Sequence, residues 1–69
     1  MTLQDILIVL HDTDFEVSTR HDGRLVINND VVIVMAAGNA RLRWWDGLHI
    51  EDCSTAQEVV GLLRALFEF

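Results

Sequence analysis

Leu3, Ile6, Leu7 and Leu10 recur at i, i+3, i+4 and i+7, which gathers them on one stripe of a helix. Thr2 stands before the run as an N-cap, with Asp5 three residues on in the position of a capping-box acid. Ile8 and Val9 widen the stripe, and His11 falls in the last turn, where a partly charged imidazole suits the helix dipole. Asp12-Thr13-Asp14 ends the periodicity. A helix of about ten residues is marginal alone, so it must dock on something.

The period then changes to two. Phe15 to Arg20 alternates as a strand with one buried face, His21-Asp22-Gly23 reads as a turn, and Arg24 to Asn28 is the return strand. Asn28-Asn29-Asp30 is a second turn signal, because Asn tolerates the left-handed region; the competing pattern is one long bulged strand. Val31-Val32-Ile33-Val34-Met35 is rich in β-branched residues and does not alternate, so both its faces ask for cover. Ala37-Gly38-Asn39-Ala40 turns the chain, and Arg41 to Trp45 resumes alternation. Leu42 and Trp44 then share one face, and Arg41, Arg43 and Trp45 the other. Asp46-Gly47 signals another hairpin, leading to a short fifth strand at Leu48 to Glu51.

Helical spacing returns at the end. Ala56, Val59, Val60, Leu63, Leu66 and Phe67 form an apolar face, and Asp52, Ser54 or Thr55 can cap it. Gly61 inside this helix costs about 1 kcal/mol relative to Ala unless close packing requires it. The expected fold is α+β: one domain over residues 1–69, helix, four- or five-stranded antiparallel meander, helix (αββββα), both helices on one sheet face. Helices on opposite faces would instead cover the central strand twice.

With the helices on one side, the other face would carry Val26, Trp45 and one set from the central strand. That set is Val32 and Val34, or else Val31, Ile33 and Met35. Interleaved with Arg24, Arg41 and Arg43, even a few of these make an apolar patch that is large for a monomer. Trp and Arg are also the residue types most enriched at binding hot spots. The expected interface is therefore Val26, Val32, Val34, Arg41, Arg43 and Trp45, with a homodimer as its commonest use.

Charge narrows the partners. The chain has 69 residues, 11 acidic and 5 basic, a formal charge of −6 and a pI near 4.6. Such a domain repels a polyanion, so direct nucleic-acid binding is not expected. All five basic residues are Arg; Arg20, Arg24, Arg41 and Arg43 form a candidate local patch with Asp22 and Asp30 among them. No apolar run approaches a membrane span, and Asp5 without early Lys or Arg makes a poor signal peptide, so a cytoplasmic location is expected.

Candidate chemistry is thin. His49 and Cys53 form H-x3-C with no second half of a zinc signature, so neither a metal nor another cofactor is expected. Cys53 lacks a base and an orienting group at a spacing that would place them. Asp12-Thr13-Asp14 resembles part of a divalent-cation loop but lacks the remaining frame, and Glu51-Asp52 suits a helix N-terminus more simply than acid–base work. No phosphate loop or nucleophile elbow is present, and an enzyme is not expected.

The expectation is a protein-binding module. In its sharpest form an acidic surface of Asp12, Asp14, Glu16, Asp46, Glu51 and Asp52 blocks a basic protein partner by standing in for phosphates. Small phage- or plasmid-encoded inhibitors, anti-CRISPR proteins among them, are similar in size, acidity and lack of catalytic motif; that likeness implies the host cytoplasm as the place of action. The alternative is a small homo-oligomeric accessory subunit joined through its open sheet face.

Overall fold

The computed structural model describes residues 1–44 and 47–67. Its elements are α1 (Leu3–His11), β1 (Val17–Thr19), β2 (Leu25–Ile27), β3 (Val31–Ala36), β4 (Asn39–Trp44), β5 (His49–Cys53) and α2 (Ala56–Phe67). Every strand pairs antiparallel with its neighbour in sequence, giving one open sheet in the order β1-β2-β3-β4-β5. This is the expected α+β meander, with the fifth strand formed.

The helix starts follow from their caps. Thr2 N–H donates to Asp5 Oδ2 at 2.8 Å, and Asp5 N–H donates to Thr2 Oγ1 at 3.2 Å, which completes the capping box. Ahead of α2, Glu58 N–H donates to Thr55 Oγ1 at 3.1 Å. The Glu58 carboxylate turns back to accept from the Ser54 hydroxyl at 2.9 Å and the Ser54 N–H at 3.4 Å. Asp52 is not a cap: β5 runs two residues further than the sequence suggested and takes in Asp52 and Cys53.

Turn chemistry sets the register. Asn28 and Asn29 both have positive φ, 53° and 58°, and Asp30 N–H donates to Ile27 O at 3.0 Å. That is a type I′ turn, so the long bulged strand does not form. Asn28 also closes the end of β1: its Oδ1 accepts from Glu16 N–H, and its own N–H donates to Glu16 O, both at 2.8 Å. β1 is accordingly shorter than expected. Phe15 leaves the ladder and sets its ring 5.8 Å from that of Phe67.

The buried strand residues all fall on one parity. Leu25, Ile27, Val31, Ile33, Ala40, Leu42 and Cys53 meet Ile6 and Leu10 of α1 and Val59 and Leu63 of α2 in a single cluster. Both helices therefore cover the same sheet face. Val26, Val32 and Val34 point the other way and stay outside this cluster, half-buried by their neighbours alone. The doubly apolar run of β3 asked for cover on both faces, and the described residues supply it on one.

Candidate interaction face

On the uncovered face the pairing register lines up Ser18, Val26, Val32, Arg43 and Ile50 in one row across all five strands. Val34, Arg41 and Asp52 form the next row across β3, β4 and β5. Of the two sets available in the central strand, Val32 and Val34 are thus the outward one, whereas Val31 and Ile33 are buried. Ile50 is 54% exposed, a large apolar side chain at the β5 end of the row. Trp45 and Asp46 lie outside the described residues.

Arginines frame this apolar strip. Arg20, Arg24 and Arg43 line a shallow concavity of about 370 Å3 whose floor includes Val26 and Val32. Among the described residues Asp30 is the carboxylate on its lining. Alternation along β4 puts Arg41 on the same face as Arg43, so four of the five basic residues of the chain gather here. Arg41 is committed: its Nε donates to Asp52 Oδ1 at 2.9 Å and its Nη2 to Oδ2 at 3.4 Å. That pair holds the Asp52 carboxyl below its ordinary range and pushes the Arg41 guanidinium up. Arg24 Nε lies 3.5 Å from Asp22 Oδ2, both side chains about half exposed. Arg20 and Arg43 make no ion pair among the described residues.

The acidic residues singled out from sequence divide. Asp12, Asp14 and Glu16 lie between α1 and β1, where Asp12 and Asp14 share a cleft with Asn28 and Arg64. Glu51 and Asp52 belong to β5, at the opposite edge and roughly 19 Å away across four strand spacings. Those two also point to opposite faces, Glu51 sharing the side of its partner Leu42 and Asp52 pairing with Arg41 on the other. The sheet brings together Val26, Val32, Val34, Arg41 and Arg43, joins to them Arg20 and Arg24 of the arginine patch expected from sequence, and adds Ile50, which the sequence reading did not name. The parity of Arg20 and Arg24 relative to Val26 was legible; the turn geometry that fixes it was not.

The reactive candidates sit elsewhere. Cys53 is 4% exposed, and burial, followed by the nearby Glu58, Glu51 and Asp52 charges, pushes its thiol above the ordinary value. A thiol so placed is a poor source of thiolate. The His49 ring stacks on Trp44 with centroids 5.6 Å apart and planes 14° from parallel. Among the described residues no three His, Cys, Asp or Glu side chains gather into a metal-sized group, and no helix is long and apolar enough to cross a membrane. A larger cavity, about 640 Å3, opens beside the chain start, walled in part by Met1, Leu3 and the Ala36-Ala37-Gly38 bend. Its Asp22 and Arg24 already pair with each other. Comparison with protein-family models, curated proteins and solved structures returned no match, so the functional reading rests on the uncovered sheet face.

Proposed function

We propose that the chain is a non-enzymatic protein-binding module that works through the uncovered face of its sheet. The observation that carries this is the row Val26, Val32, Arg43 and Ile50: apolar side chains and a guanidinium, with no covering element among the described residues while two helices crowd the other side. Exposed aliphatic side chains interleaved with arginine are the surface type that protein partners bury. The acidic surface gives weaker support to a phosphate-mimicking mode, since it is split between two edges and Asp52 is already neutralised by Arg41. Its remaining basis is the group Asp12, Asp14 and Glu16.

A random-peptide display selection against the purified protein tests this. Val32→Glu changes an outward side chain and leaves the core untouched, so the variant folds. Peptides that bind the native protein but not Val32→Glu are the expected result. Peptides indifferent to Val32 and sensitive to Asp12, Asp14 and Glu16 replaced by Asn, Asn and Gln would move the working surface to the acidic segment.

A further inference from the structure

We propose that the concavity over β2, β3 and β4 docks an acidic protein segment, with carboxylates on Arg20 and Arg43 and apolar side chains on Val26 and Val32. This rests on the sheet-face reading and gives the partner a chemistry. A chain of formal charge −6 has placed four of its five basic residues on one face; Arg24 and Arg41 are paired there with Asp22 and Asp52, which leaves Arg20 and Arg43 as the cations that stand against the charge of the whole. Among the described residues three guanidiniums line the concavity against one carboxylate, Asp30. Arg20 and Arg43 have no ion pair among the described residues, so their donors are available to an incoming acid. Guanidinium binds carboxylate through paired N–H donors, a match of shape as well as charge.

Three other occupants fit less well. A second copy stacked face to face with its twofold axis through the concavity would set Arg20, Arg24 and Arg43 near the same residues of its mate. The Asp52 carboxylate that could relieve them is engaged by Arg41. A nucleic-acid strand wants flat rings to stack on, and among the described residues this face offers none, since Trp44 packs against the core and stacks on His49. The overall −6 also repels a polyanion far more than a short acidic segment. A small free anion leaves the valines uncovered.

The test is the composition of the selected peptides. The native protein is expected to enrich Asp and Glu alternating with aliphatic residues. The charge-reversed double variant Arg20→Glu/Arg43→Glu, selected in parallel, is expected to enrich Lys and Arg instead. Arg43→Gln should weaken a synthetic copy of the leading peptide about tenfold, the loss of one charge-assisted contact. Neutral or basic peptides that still require Val32 would overturn the acidic partner and leave the sheet-face reading standing. Failure to enrich any Val32-dependent peptide would overturn both. Tighter binding of single-stranded oligothymidine to the same residues would replace the partner with a nucleic acid. A dimer that Val32→Glu dissociates would replace it with a second copy.

Discussion

Arg41 and Asp52 face each other across β4 and β5 and join through two N–H···O contacts, 2.9 and 3.4 Å long, on the uncovered face of the sheet. The pair ties the edge strand to its neighbour and removes one cation and one anion from the free charge of that face. Because the Asp52 carboxyl titrates below its ordinary range in the folded chain, protonation is resisted there more than in the unfolded chain. Its contribution is therefore complete above the ordinary Asp value and is lost as pH falls through the depressed folded one. Asp5, held low by the Thr2 backbone and hydroxyl, acts in the same direction. Urea unfolding of the native protein and Asp52→Asn is expected to show a small gap at neutral pH that closes in acid. A gap that persists unchanged in acid would contradict the pairing.

Ala37 and Gly61 occupy each other's preferred conformations. Ala37 adopts φ 52° in the two-residue turn between Ala36 and Asn39, where a Cβ is strained. Gly61 sits in the middle of α2 with open space where a Cβ would go. Ala37→Gly and Gly61→Ala are each expected to stabilise the fold, by about 1 kcal/mol apiece, and to add because the sites share no contact. Thermal or chemical denaturation of the two singles and the double checks it.

The two sheet faces should answer differently to truncation. Leu42 is fully buried beneath the helices, and Leu42→Ala is expected to cost about 3 kcal/mol. Val34, one residue along the cross-strand ladder but outward, is half-buried, and Val34→Ser should cost under about 1 kcal/mol. Equal costs would mean that something covers the outer face in solution.

Cys53 gives a readout of opening. Its thiol is buried and pushed upward, so iodoacetamide at neutral pH should label the native protein slowly and the guanidinium-unfolded protein at once. The stabilising Gly61→Ala variant should slow native labelling further. Fast labelling in native buffer would contradict the packing of Cys53 under α2.

Much of this architecture could be read along the chain. The capping boxes, the i, i+3, i+4 stripes and the Asn28-Asn29 turn are local features, and local physics decides them. Strand ends were less legible. Cys53 reads as the approach to a helix, yet it pairs with Ala40 and is drawn into the core. Phe15 reads as a strand residue, yet Phe67, distant in sequence, takes its ring. Val31-Val32-Ile33-Val34-Met35 has no alternation to say which set faces inward; the pairing of Ile27 with Val31 settles it, with Asp30 taken up as one residue beyond the Asn28-Asn29 turn. The same register carried Arg20 and Arg24 onto the face of Arg43. The spread of Asp12 and Asp52 to opposite edges is a matter of sheet order, which charge counting along a sequence cannot supply.

The central claim is that the uncovered sheet face is where a partner docks. The most direct measurement is amide chemical-shift mapping on the isotope-labelled protein, titrated with the leading peptide from the native selection. Shifts are expected to concentrate on Val26, Val32, Val34, Arg43 and Ile50, to weaken with added salt and to vanish in Val32→Glu. Shifts confined to α1, α2 or residues 12–16 would contradict the account.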